Sequence, residues 1–233
     1  MIEIKGFIQT SLIDWDGKIT SVLFLPHCNF RCPYCQNGNL VYHPQDLPTI
    51  PLKEIKKSLS NRRDWIDGVV ITGGEPTLNS ELDLLLEWFK KLGLTVKLDT
   101  NGTCPEMLER LGKKKLLDYV AMDLKAPLNG RYSKVCGVSV NLKSIKKSID
   151  FLYYGSIDYE FRTTLIPTLV GKAEILEISR EIQGARKFVL QQFVPENAYS
   201  EELRRLRPFL REEAEEMVKE AKKFVRECYY RGK

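Results

Sequence analysis

Three of the chain's six cysteines fall together in His27-Cys28-Asn29-Phe30-Arg31-Cys32-Pro33-Tyr34-Cys35, while Cys104, Cys136 and Cys228 stand singly. The spacing is C-x3-C-x2-C with no fourth cysteine nearby. An odd local group argues against disulfides and for a metal. A structural zinc site is normally closed by four ligands, and a cluster held by four cysteines is closed as well. Three thiolates on one loop leave one coordination position open, which is what a site that binds its substrate or cofactor on the metal requires. The plain alternative is a zinc site completed by His27, His43 or a distant cysteine; His27 adjoins Cys28 and is poorly placed for the same metal. The three single cysteines read as small buried residues and carry no functional assignment.

Other residues of chemical interest follow at intervals. Gly73-Gly74-Glu75-Pro76 lacks Cβ atoms at its start, so its backbone can approach a ligand closely. Asp99-Thr100-Asn101-Gly102 contains an ordinary turn signal. Asp123-x-Lys125 places two charges on the same side of an extended segment, where the plain reading is an ion pair. Arg162 lies in an apolar run and needs a partner if buried. Of Gln191-Gln192, alternation lets one face inward, and Gln192 is the residue chosen; an amide can bond a hydroxyl as donor or acceptor.

These residues must be positioned by a regular framework. Six short runs rich in β-branched residues read as strands: Thr20–Leu25, Gly68–Thr72, Thr95–Asp99, Tyr119–Asp123, Tyr159–Leu165 and Lys187–Phe193. Segments of helical period lie between them, at Leu52–Leu59, Ser80–Leu92, Pro105–Leu111, Leu142–Tyr153 and Lys172–Ile182. Strand–helix alternation of this kind predicts parallel strands with right-handed crossovers. Periodicity leaves open whether the sheet is doubly wound or an incomplete barrel. In both, a site belongs at the carboxyl ends of the strands, which is where the residues above fall. An N-terminal β-like piece (Ile2–Leu12) and a charged C-terminal helix (about Ser200–Glu227) complete the chain, the helix expected to cover the barrel.

C-x3-C-x2-C with Tyr34 before the last cysteine, followed one βα unit later by Gly73-Gly74-Glu75-Pro76, resembles the radical S-adenosylmethionine (radical SAM) enzymes. The resemblance implies an incomplete (β/α)6 parallel barrel, with a single domain over 1–233, its core at about 18–195 and a helical extension at about 200–233. It implies one 4Fe–4S cluster on Cys28, Cys32 and Cys35. The unligated iron would be chelated by S-adenosylmethionine, whose reductive cleavage gives a 5′-deoxyadenosyl radical. Gly73, Gly74 and Glu75 then lie near the cofactor amino group. Asp123 and Lys125 resemble an Asp-x-Lys of the pyruvate formate-lyase activases. That likeness puts Lys125 on the cofactor carboxylate and Asp123 near the ribose and a monovalent cation, with Asp99 and Thr100 as further candidates and Asp99 as a second cation ligand. Arg162 is expected near the cofactor. Gln192 stands where those activases have a ribose-contacting histidine, a departure from the family pattern.

The stretches Phe7–Gly17, Cys28–Asn37, Met122–Pro127 and Leu190–Phe193 are most similar to activating proteins of anaerobic ribonucleoside-triphosphate reductase. The implied partners are a glycyl radical enzyme as protein substrate and an electron donor such as ferredoxin or flavodoxin. A radical SAM enzyme acting on a small molecule or nucleoside, such as a deazaguanine synthase, is the alternative enzyme; a non-catalytic iron–sulfur protein is the alternative outside catalysis. Composition agrees with a globular chain of 233 residues, 43% hydrophobic and 29% charged, which excludes intrinsic disorder. The net charge of +5 is mild and gives no concentrated basic stripe for nucleic acid. No apolar run is long enough to span a membrane, and Met1–Lys5 lacks a signal-peptide layout, so a cytoplasmic location is expected.

Overall fold

A computed structural model describes residues 2–232. Eight strands form one sheet in the order of the chain: β1 (Gly6–Ser11), β2 (Thr20–Leu25), β3 (Gly68–Gly73), β4 (Thr95–Thr100), β5 (Tyr119–Asp123), β6 (Asp158–Leu165), β7 (Lys187–Gln192) and β8 (Glu227–Arg231). β2 through β8 run parallel, and β1 is antiparallel to β2. β1 and β8 do not pair, so the sheet curls without closing. This is the incomplete barrel implied by the resemblance, with one strand added at each edge of the six expected.

The helices are α1 (Gly38–Tyr42), α2 (Leu52–Asn61), α3 (Leu82–Lys91), α4 (Pro105–Lys113), α5 (Gly130–Cys136), α6 (Leu142–Tyr154), α7 (Lys172–Glu181), α8 (Glu201–Arg204) and α9 (Arg211–Ala221). Their apolar stripes, such as Ile55 and Leu59 of α2 and Leu85, Leu86 and Phe89 of α3, pack on alternate strand residues, including Leu23, Ile71, Leu98 and Phe161, in one large core. The other set of alternate residues faces the inside of the curl. There Trp15, Val22 and Val70 form a small separate cluster against Phe24 and Tyr119.

The long C-terminal helix does not form. α8 stops at Arg204, and Pro208, which lacks an N–H and clashes with a preceding turn, keeps the chain from continuing as a helix before Arg211. The run Glu227–Arg231 then joins the sheet beside β7. Alternation hid this strand, because Tyr229 and Arg231 look like the polar face of a helix end.

β8 also links the two ends of the chain. Arg231 donates to Glu160 on β6 (Nη1–Oε1 3.0 Å, Nη2–Oε2 3.1 Å) and to Asp16 in the β1–β2 loop (3.0 Å). The Tyr229 hydroxyl donates to the same Asp16 carboxylate at 2.7 Å. Side chains, not strand pairing, thus bridge from β8 to the loop beside β1. Among the described residues no helix is long and apolar enough to cross a membrane.

Candidate active site

A cavity of about 410 Å³ opens at the carboxyl ends of the parallel strands. Cys28, Cys32, Tyr34 and Cys35 line one side; Gly73, Gly74, Asp99, Thr100, Asp123, Lys125, Arg162 and Gln192 line the rest. Every residue expected from the sequence to hold the cluster or the cofactor, except Glu75, borders this one space.

The cysteine loop leaves β2 and is held by backbone bonds from three directions. His27 N donates to Leu40 O (2.9 Å), Arg31 N to Cys136 O (2.8 Å) and Glu75 N to His27 O (2.8 Å). Glycine is required where β3 passes beneath it. Gly73 has φ +117°, and a Cβ there would lie 2.3 Å from Leu25 O; at Gly74 it would lie 1.8 Å from His27 O. The Gly-Gly pair therefore packs backbone against backbone under the cysteine loop, and Asn37 Nδ2 fixes the Gly73 carbonyl at 2.8 Å.

The three thiols share the cavity without forming a closed ligand shell: among the described residues no three His, Cys, Asp or Glu side chains are gathered as a metal group. Their surroundings nevertheless suit sulfur ligands of a metal cluster. Phe30 N donates to Cys28 Sγ at 3.4 Å, and Asn101 Nδ2 approaches it at 3.8 Å. Donors aimed at ligand sulfurs tune such clusters. Cys28 and Cys35 are only partly exposed, and burial pushes the Cys28 thiol up to about 12. Cys32 behaves oppositely. A hydrogen bond with Cys136 lowers it to about 7, against the effect of burial and with help from Lys125. Cys136 thus touches the cysteine loop, a neighbour the sequence reading did not assign.

The opposite wall is a buried chain of charges. Arg162 Nε pairs with Asp123 Oδ1 at 2.7 Å, and Nη1 with Asp99 Oδ2 at 3.1 Å. Lys125 Nζ lies 2.9 Å from Asp123 Oδ2. Lys97, 3% exposed, lies 3.4 Å from Asp99 Oδ1 and also donates to Asp14 O. Burial works to raise the Asp123 carboxyl, but Arg162 and Lys125 outweigh it and hold it at about 2. Burial likewise opposes charge on Lys125, yet Asp123 raises it above the ordinary lysine range. In this chain of contacts each carboxylate is held by more than one cation: Asp123 by Arg162 and Lys125, Asp99 by Arg162 and Lys97.

The surroundings of several expected residues differ from a simple ligand contact. Between Asp99 and Asp123, where a monovalent cation was expected, the Arg162 guanidinium bridges both carboxylates. Glu75 does not open on the cavity. It is 2% exposed, and its carboxylate accepts from Thr77 N (3.0 Å), Thr100 Oγ1 (2.7 Å) and Asn101 N (2.6 Å), so it ties the end of β3 to the end of β4. Burial raises its carboxyl in spite of these donors. Thr100 borders the cavity, but its hydroxyl is committed to Glu75. Gln192 borders the cavity together with Gln191. The parallel register sets Gln191 beside the cavity-lining Thr164 and Gln192 beside the core residue Leu165. β7 ends at this pair, and both residues border the space.

The sequence reading missed Asn37 and Asn101. Asn101 lay inside a segment already singled out, where the Asn-Gly turn signal masked its reach to the cysteine loop. Asp14 and Arg231 also border the cavity; they come from the two ends of the chain, and no local pattern joins them.

The radical SAM superfamily family model matches residues 22–181. A protein of Methanocaldococcus jannaschii named "putative glycyl-radical enzyme activating enzyme" is 34% identical over 229 residues, 95% of this chain and 92% of that protein. A 7-carboxy-7-deazaguanine synthase of Neisseria meningitidis is 32% identical over 123 residues, 52% of this chain and 51% of that enzyme. Among solved structures, a domain of pyruvate-formate lyase-activating enzyme from Bacteroides vulgatus superposes with a TM-score of 0.56 at 18% identity, covering 71% of this chain and 99% of that one. The last similarity concerns the fold.

Proposed function

The chain belongs to the radical SAM superfamily, and we propose that it activates a glycyl radical enzyme, of the anaerobic ribonucleotide reductase kind, by removing a hydrogen atom from a glycine Cα. The observation that carries this reading is the single cavity with three cysteines on one wall and the Asp123–Lys125–Arg162 charges on the other. Similarity to the M. jannaschii protein over nearly the whole chain supports the activase assignment within the family. The whole chain acts as one radical SAM domain in this reading, in the cytoplasm.

Cys28, Cys32 and Cys35 would hold a 4Fe–4S cluster as thiolates. When bound, the cluster supplies the electron that cleaves S-adenosylmethionine to methionine and a 5′-deoxyadenosyl radical able to take the glycine hydrogen. The chain's own residues bind and orient. The backbone of Gly73 and Gly74, which lines the cavity, receives the methionine amino group. Lys125 binds the methionine carboxylate. Asp123 holds the Lys125 ammonium in place, and Arg162 fixes both Asp99 and Asp123. Glu75 and Thr100 keep the two strand ends in register, Gln191 and Gln192 bond the ribose hydroxyls, and buried Tyr34 packs beneath the cysteine loop. A ferredoxin or flavodoxin supplies the electron.

Anaerobically reconstituted protein with dithionite and S-adenosylmethionine should release 5′-deoxyadenosine, and Cys32→Ala should reduce this to background. A fully loaded cluster that yields no more than the variant overturns the radical SAM chemistry. Mixing with a co-encoded glycyl radical enzyme should give a glycyl doublet in electron paramagnetic resonance. The partial match to a deazaguanine synthase supports a second reading, a nucleoside-type small substrate. Turnover of such a substrate without a doublet would select it.

A further inference from the structure

We propose that a polar groove beside the catalytic cavity binds the extended backbone of the protein substrate and leads its target glycine to the site; this rests on the activase reading above. The groove, about 360 Å³, lies between the start of α1 and the segment after β7. It shares Gln36 and Asn37 with the catalytic cavity, so the two spaces adjoin. Three exposed carboxamides line it, Gln36, Asn39 and Asn197, and no hydrogen bond engages their side chains among the described residues. A carboxamide presents a donor and an acceptor side by side and so pairs with a peptide N–H and C=O.

The groove is built on a fixed frame. Tyr199 stacks on Tyr42 with centroids 3.7 Å apart at 7°. Ser200 N donates to Pro33 O at 2.8 Å, tying this segment to the cysteine loop. Its charges balance. The Arg204 guanidinium donates to the Ala198 and Tyr199 carbonyls (2.7 and 3.3 Å), and Glu196 adds an exposed carboxylate of opposite sign. An uncharged backbone finds three amides there. Such a surface reads main chain with little demand on side chains, which fits a loop whose reacting residue is glycine.

The test uses the reconstituted enzyme and a fluorescein-labelled, end-capped Ala-Ala-Gly-Ala-Ala peptide, with binding read by fluorescence anisotropy. The wild type should bind it saturably. The Asn39→Leu/Asn197→Leu double variant should bind at least ten-fold more weakly while forming 5′-deoxyadenosine from S-adenosylmethionine alone at the wild-type rate. A conservative Asn39→Gln variant should retain binding, and adenosine triphosphate should not displace the peptide. No saturable binding by the wild type, equal binding by the double variant, or displacement by the nucleotide overturns the groove. If the peptide binds as expected but no 5′-deoxyadenosine forms, the groove stands as a peptide site and the catalytic reading falls. If 5′-deoxyadenosine forms but the double variant binds normally, the groove falls alone.

Discussion

The two faces of the same strands differ sharply. On β4, Val96 and Leu98 enter the large apolar core under the helices, while Lys97 and Asp99 point into the curl and belong to a buried ionic chain. The outer face gains from non-directional burial, where any apolar side chain of suitable volume serves. The inner face holds charges that water would solvate better, and each is tolerable only because a partner of opposite sign is fixed beside it. The lesson is that stability is concentrated outside and chemistry inside, one residue apart.

That contrast can be broken by substitution. The largest effect is expected at Arg162→Leu, which leaves Asp99 and Asp123 buried with reduced compensation and should cost about 3–5 kcal/mol in chemical denaturation. Its KM for S-adenosylmethionine should also rise; an unchanged KM together with a small loss of stability would place the ionic chain outside the working site. Leu98→Ala on the outer face should cost about 3 kcal/mol through lost burial and a cavity, with KM for S-adenosylmethionine unaltered. A large KM change there would erase the distinction between the faces. The smallest effect concerns acid. Asp123 is held at about 2 against an ordinary 3.8, so its contribution is present above the ordinary value and lost as pH falls through about 2. This amounts to on the order of 2 kcal/mol. Denaturation between pH 4 and 2 should therefore depend less steeply on pH in Asp123→Asn than in the wild type; equal slopes would refute the strongly paired state of this carboxylate.

The outer face was legible in the sequence because burial leaves a periodic trace: runs such as Gly68–Thr72 and Thr95–Asp99 mark their strands without knowledge of neighbours. The cysteine spacing was legible for a similar reason, since one loop carries all three. The bonding of the inner face was not. Asp99, Asp123 and Arg162 could each be chosen for position, but that Arg162 would bridge both carboxylates depends on the curl of the sheet. Glu75 sat inside a motif and so looked like a ligand contact; its carboxylate accepts from Thr77, Thr100 and Asn101, an arrangement no local pattern announces. β8 was hidden because Pro208 and a short aromatic run were outweighed by the charged helical pattern around them.

The Asp16–Arg231 bridge has a consequence for how the molecule is made. A ribosome delivers Trp15 and Asp16 early and Arg231 after every other strand has emerged. Until then the Glu160 carboxylate, 1% exposed in the finished fold, lacks the Arg231 guanidinium, and the two edges of the curl stay unlatched. Vectorial synthesis thus gives this sheet a late locking step, in which β8 secures a loop made well before it.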